Sequence, residues 1–171
     1  MPKVYKIYIE IKKLREEFNY SIKMNSKKIG FTIGKFAPFH KGHAYLIETA
    51  LKEMDEFYVV VYDTPEFNID INTKIKWITK KFPSVKILNA FNSPKQFGLD
   101  DKSVKIQMDY LKEIIKDIDV GYFYSSEEYG KYVARYLNIE NKIVDRERIK
   151  FPISGTLLRN SRELQKIWMV K

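Results

Sequence analysis

The chain has 171 residues, 44% hydrophobic and 15% aromatic, and a formal charge of +9 from 31 Lys+Arg against 22 Asp+Glu. That is the composition of one globular domain with a core to bury rather than of a disordered chain. The lack of cysteine excludes disulfides, thiolate metal sites and cysteine nucleophiles; no apolar run approaches the ~18 residues that span a bilayer, and no uninterrupted apolar stretch marks a secretory signal, so a cytoplasmic protein without membrane partners is expected.

Lysine supplies 25 of the cationic residues and arginine six. The excess reads either as a solvated lysine-rich surface or as attraction for anions. Without an arginine-rich block, small anions such as nucleotide phosphates are favoured over nucleic acid.

Residues 1–27 read as an N-terminal extension ahead of a main domain at 28–171. Val4 to Ile11 alternates, with Ile7, Ile9 and Ile11 on one face, as a strand would, and Lys12 to Met24 predicts a helix. An added edge strand or an oligomer contact is the expected role. Ile29, Phe31 and Ile33 then alternate with Gly30, Thr32 and Gly34 in the first core strand. Pro38 stops that strand, and a helix is predicted from His40, with Ile47, Ala50, Leu51 and Met54 at helical spacing. Phe57 to Tyr62 is a continuous apolar run, typical of a parallel strand buried on both faces. Ile71, Ile75, Ile78 and Phe82 form the stripe of a second helix, ended by Pro83.

Val85 to Ala90 predicts a third strand, Asn92 to Asp101 a loop, and Val104, Met108, Leu111 and Ile115 a third helix. Val120 to Tyr124 predicts a fourth strand and Tyr129, Val133, Tyr136 and Leu137 a fourth helix. Ile143-Val144 is a short fifth strand, and one helix from near Ser154 carries Leu157, Leu164 and Trp168. Strands alternating with helices imply βαβ units, hence an α/β, Rossmann-like fold with a parallel five-stranded sheet and helices on both faces. Ligands in such folds sit at the carboxyl ends of the strands.

The first strand ends at Gly34, where Gly34-Lys35-Phe36-Ala37-Pro38-Phe39-His40-Lys41-Gly42-His43 begins, and this stretch holds both histidines of the chain. His40 and His43, three apart, share a face of the first helical turn. Gly42 lets a ligand approach the backbone, and the free amides and dipole of a helix start favour anions. With Lys35 nearby, these groups can cradle a polyphosphate. The histidines could instead be structural or a metal pair, although no third ligand is evident. Gly34 and Gly42 could be turn and packing glycines.

Gly34-x-Phe36-x-Pro38-x-His40-x-Gly42-His43 resembles the signature of the HxGH nucleotidyltransferases, matching all six of its positions. Ile153-Ser154-Gly155-Thr156-Leu157-Leu158-Arg159 resembles the I-S-x-T-x-x-R motif of the adenylyltransferases in that superfamily. Ser154 suits a helix N-cap and Arg159 lies one turn on. Tyr124-Ser125-Ser126-Glu127, Val144-Asp145-x-x-Arg148 and the following Ile153-Ser154-Gly155 resemble the nicotinamide-nucleotide adenylyltransferase domain of bifunctional NAD-biosynthesis and regulatory proteins. Lys35 matches those proteins, where archaeal enzymes often carry Arg. The loop Phe97-Gly98-Leu99-Asp100 lacks the second tryptophan of the pattern.

The resemblance implies transfer of AMP from ATP to nicotinamide mononucleotide, a phosphorylated small-molecule acceptor, with Mg²⁺ accompanying ATP and no protein-borne metal site. It assigns His40, His43, Lys35 and Arg159 to catalysis, and Gly34, Phe36, Pro38, Gly42, Ser154, Gly155 and Thr156 to ATP. Trp77, off the Ile71/Ile75/Ile78/Phe82 stripe, is assigned with Asp63 and Thr64 to the mononucleotide; a surface tryptophan packed on a loop is the alternative. The length implies a stand-alone transferase, and a homo-oligomer is compatible. A phosphopantetheine adenylyltransferase is the nearest alternative, although its first motif has Thr where this chain has His40. A nucleotide-sensing or nucleic-acid-binding module on the same fold is another.

Overall fold

The computed structural model describes residues 3–25, 27–95, 98 and 100–170. Five strands carry the architecture: β1 (Ile29–Gly34), β2 (Glu56–Tyr62), β3 (Lys86–Ala90), β4 (Tyr122–Ser125) and β5 (Glu140–Ile143). The helices are α1 (Lys3–Asn25), α2 (Lys41–Glu53), α3 (Ile71–Lys81), α4 (Asp101–Ile114), α5 (Tyr129–Leu137), α6 (Gly155–Arg159) and α7 (Arg162–Trp168). All strand pairs are parallel, in the order β3-β2-β1-β4-β5. The chain runs outward from β1 to β3, then crosses to β4 on the other side of β1. The order therefore reverses between β1 and β4, and the carboxyl ends of these strands frame a crevice.

Each face of the sheet buries its own core. On one face Phe57, Val59, Val61 and Tyr124 pack with Ile47 and Ala50 of α2 and Ile71 and Ile78 of α3. On the other, Phe31, Val60 and Phe123 pack with Met108 and Leu111 of α4 and Val133 of α5. Adjacent residues of β2 thus serve opposite cores, which is why its apolar run does not alternate. Gly130 lets α5 close on β4, because a Cβ there would lie 2.1 Å from the Ser125 hydroxyl.

Two sequence expectations need correction. Val4–Ile11 is not a strand: it forms one continuous helix with the residues after it, Lys3–Asn25. The alternating isoleucines also contain a helical spacing, Ile7, Ile11 and Leu14, and a helix satisfies its own backbone where no strand partner is offered. The C-terminal helix is two helices. Ser161 caps α7, its hydroxyl accepting the Leu164 amide at 3.2 Å, and so ends the run from Ser154. Phe97 and Leu99 of the loop before α4 lie outside the described residues.

Candidate active site

The start of α2 forms one wall of the crevice. His40 is its N-cap and His43 its third residue, and they cap each other reciprocally. The His43 amide donates to His40 Nδ1, and the His40 amide to His43 Nδ1, both at 3.4 Å. The rings stack with centroids 3.6 Å apart, and the Phe39 ring lies parallel to His43 at 6.0 Å. Both histidines are therefore held in one rotamer by bonding and packing before any ligand arrives.

Burial first, and the Arg148 charge second, lower the His40 pKa to about 4. Burial, His40 and Arg148 together hold His43 well below the usual histidine value. At neutral pH both rings are uncharged. Since each Nδ1 accepts a hydrogen bond, the proton of each neutral ring belongs on Nε2, leaving Nε2–H as the donor to a ligand. Gly42 leaves room for this pair: a Cβ would meet the His40 ring at 3.1 Å and could be accommodated only by shifting it. Phe36 takes a positive φ of 47°, rare for an aromatic residue, and its ring covers Gly34, where a Cβ would meet it at 3.1 Å.

The facing wall is the segment from Asp145 to Arg159. Ser154 caps α6, accepting the Leu157 amide at 3.3 Å. Arg159 Nη1 donates to the Ala37 carbonyl at 2.7 Å, and Nη2 to the Thr156 hydroxyl at 3.0 Å. One guanidinium thus ties α6 to the loop before α2. Its carbon lies 4.0 Å from the Phe67 ring centroid, and Lys35 Nζ lies 5.1 Å from the same centroid. Two cations from opposite ends of the chain therefore converge on one ring. Lys35 also pairs with Glu66 at 3.7 Å. Arg148 buttresses this wall, donating to the Ile153 carbonyl at 2.7 Å and to Glu127 at 3.1 Å. The Asp145 carboxylate accepts the Lys150 and Phe151 amides at 3.1 and 2.9 Å, which fixes the turn leading to Ser154.

Between the walls lies a cleft of about 960 Å³, large enough for a dinucleotide-sized ligand. Its far side is the end of β2 and the loop after β3, with Tyr62, Asp63, Thr64, Asn92 and Lys95 among its lining. Lys74 of α3 is fully buried behind it, donating to the Tyr62 carbonyl at 2.6 Å and to the Thr64 hydroxyl at 2.8 Å. Burial lowers its pKa, opposed by the charges of Asp63, Glu66 and Asp70.

The family described as the citrate lyase ligase C-terminal domain matches residues 29–154, which spans β1 through the cap of α6. The chain belongs to this family. Its sequence also resembles the trifunctional NAD biosynthesis/regulator protein NadR of Salmonella typhimurium and of Escherichia coli. Each is 30% identical over 154 residues, covering 79% of this chain and 37% of the relative. The chain thus spans little more than a third of the length of these curated relatives. Among solved structures it superposes on the NadR protein in complex with NAD and AMP-PNP, with TM-score 0.62 and 20% identity over 85% of this chain and 45% of that one. It also superposes on a bifunctional NMN adenylyltransferase/ADP ribose pyrophosphatase from Francisella tularensis, with TM-score 0.55 and 17% identity over 79% and 41%. These likenesses show a nucleotidyltransferase fold of the HxGH type, resembling NadR.

In this family member the cleft gathers most of the residues singled out in the sequence. Gly34, Lys35, Phe36, His40, Gly42, His43, Asp63, Thr64, Ser154, Gly155, Thr156 and Arg159 all line it. Pro38 does not; it follows a cis peptide bond in the loop that presents His40. Trp77 does not either. It is half-buried on α3 and packs against the core beneath α2 and α3, because a residue adjacent to Ile78 on a helix packed against the sheet still reaches the edge of that core. Lys74 carried no sequence signal beyond a lysine within an apolar stripe. Arg148, which the sequence offered only as part of a resemblance, turns out to link three segments of the site.

Proposed function

We propose that the chain transfers AMP from ATP to nicotinamide mononucleotide, releasing pyrophosphate and forming NAD. The observation that carries this reading is the His40–His43 cap facing Arg159 across one cleft, with Arg159 bonded to the loop that presents the histidines. The acceptor is inferred from the relatives: NadR is named for NAD biosynthesis, and the Francisella protein for NMN adenylyltransferase activity.

In this reading the two Nε2–H groups and the first amides of α2 hold the β- and γ-phosphates. Arg159 and Lys35 neutralise the charge that moves onto the departing pyrophosphate, and the Ser154 and Thr156 hydroxyls fix its orientation. The acceptor phosphate is already ionised, so its oxygen attacks the α-phosphorus in line without a general base. The new P–O bond forms as the bond to pyrophosphate breaks, and no proton need be removed.

Trp77 lies outside the cleft, so ring recognition falls to Tyr62, Asp63, Thr64 and Asn92 at the far side. Mg²⁺ would enter with ATP and screen its phosphates. Among the described residues no cluster of three His, Cys, Asp or Glu side chains could hold an ion alone, and a Mg²⁺ carried mainly on phosphate oxygens fits this donor set. The test is pyrophosphate release from ATP across a panel of phosphorylated acceptors. Nicotinamide mononucleotide should give the highest kcat/KM; preference for phosphopantetheine would overturn the choice of acceptor.

A further inference from the structure

The described side chains of helix α1 (Lys3–Asn25), those from Tyr5 to Glu17, take no part in the cores or the cleft described above. Its side chains from Tyr5 to Glu17 are exposed throughout, including Ile7 at 54%, Ile11 at 50% and Leu14 at 59%. A helix of 23 residues, rich in β-branched and aromatic side chains, is not maintained by intrinsic propensity. Most helical stability in proteins comes from packing an apolar face. α1 joins the domain by the amino end of β1, whereas the cleft lies at the carboxyl ends of the strands.

The pattern along α1 indicates what covers it. Ile7, Ile11 and Leu14 alternate at intervals of four and three, the a/d spacing of a coiled-coil seam, and the sequence places Val4 and Phe18 at the same intervals. Glu10 and Glu17 flank this seam at the g positions, and Arg15 at the next e position. In a parallel, in-register pair, g of one helix faces the following e of the other. Glu10 of each copy then meets Arg15 of the second copy, twice by symmetry. An antiparallel pair would set Glu10 against Glu17 of the second copy, which repel. We propose that α1 forms a parallel two-stranded coiled coil with α1 of a second copy of this chain, making a dimer whose two clefts remain open.

The dimer does not depend on the chemistry of the cleft, and the test separates them. Sedimentation of the full chain should give twice the 20.4 kDa monomer mass. Leu14→Glu should leave a monomer whose pyrophosphate release per chain is unchanged. Glu10→Lys should weaken the dimer at least tenfold, and adding Arg15→Glu should restore it. The chain has no cysteine, so Ile7→Cys provides a clean orientation probe. It should form a disulfide dimer under mild oxidation, because only a parallel pair brings the two thiols together. An antiparallel pair would separate them by ~20 Å along the axis. A chain that stays monomeric at its highest soluble concentration would overturn the proposal. So would a dimer indifferent to Leu14→Glu, or a monomer whose α1 binds anionic lipid vesicles instead.

Discussion

His40 and His43 hold each other in place: each Nδ1 accepts the other's backbone amide at 3.4 Å, and the rings stack at 3.6 Å. The arrangement is a capping box built from imidazoles rather than from Ser and Glu. It uses one nitrogen of each ring for structure, and the other carries the N–H that the proposed function gives to the phosphates. Structural and functional readings of the two histidines, which look like alternatives in the sequence, are here assigned to different atoms of the same rings.

Separating the two atoms yields the first prediction. His43→Ala should lower kcat by ~100-fold or more, the usual cost of losing a donor to transition-state charge, and reduce stability by ~1 kcal/mol through the lost cap. His43→Glu keeps an acceptor for the His40 amide but has no N–H to donate, so it should recover stability without recovering kcat. Denaturant melts and pyrophosphate release on both variants check this. Recovery of kcat by His43→Glu would reduce the role of His43 to capping.

The depressed histidine values set the pH dependence of folding. An unfolded histidine titrates near 6.5 and folded His40 near 4. Between these values the unfolded chain binds more protons, so stability falls as pH drops through that window. From pH 7 to pH 5 the loss from His40 should be ~2 kcal/mol, with His43 adding in the same direction. Urea unfolding midpoints at the two pH values measure it. Triphosphate binding places negative charge beside both rings and should raise their pKa values. At about pH 5, ATP binding should therefore take up protons, seen by calorimetry as a dependence of the heat on the buffer's ionisation enthalpy.

Arg159 is predicted to be irreplaceable by lysine. Its planar fork reaches the Ala37 carbonyl and Thr156 while lying on Phe67, a geometry an ammonium does not reproduce. Arg159→Lys should lower kcat/KM for ATP by ~10- to 100-fold, in line with the loss of a hydrogen bond from a charged group. Steady-state kinetics with ATP varied would show it.

Trp77→Ala tests where the acceptor ring is recognised. Since Trp77 packs on the core and does not line the cleft, the substitution should cost ~2 kcal/mol of stability, less than for a fully buried aromatic residue. The KM for nicotinamide mononucleotide should change by less than about twofold, because removing an indole that faces the core leaves substrate binding intact. A large rise in KM at unchanged stability would return Trp77 to the site.

The alternation of Ile29, Phe31 and Ile33, the apolar run of β2 and the helical stripe of α3 made the sheet and its helices legible, because burial on a regular element imposes a period. The placement of Gly34, His40, Gly42 and His43 followed from the same logic, as a helix start must lie where its strand ends. Other features were not legible. The spacing of Ile7, Ile9 and Ile11 suits a strand and a helix alike, and what decides between them is that no strand among the described residues pairs with it. Ser161 divides the last helix by offering a cap, a local competition that apolar periodicity does not register. Lys74 reaches the Tyr62 carbonyl and the Thr64 hydroxyl, and Arg148 the Glu127 carboxylate and the Ile153 carbonyl, so their roles exist only once the chain is folded.

Transfer of AMP to the mononucleotide is best measured by mixing ATP with nicotinamide mononucleotide and following pyrophosphate and NAD together. Both should appear in equal amounts, and His43→Ala and Arg159→Ala should suppress both while leaving the circular dichroism spectrum intact. Tight ATP binding with neither product formed, across the whole acceptor panel, would contradict the transfer and point to a nucleotide sensor on the same fold.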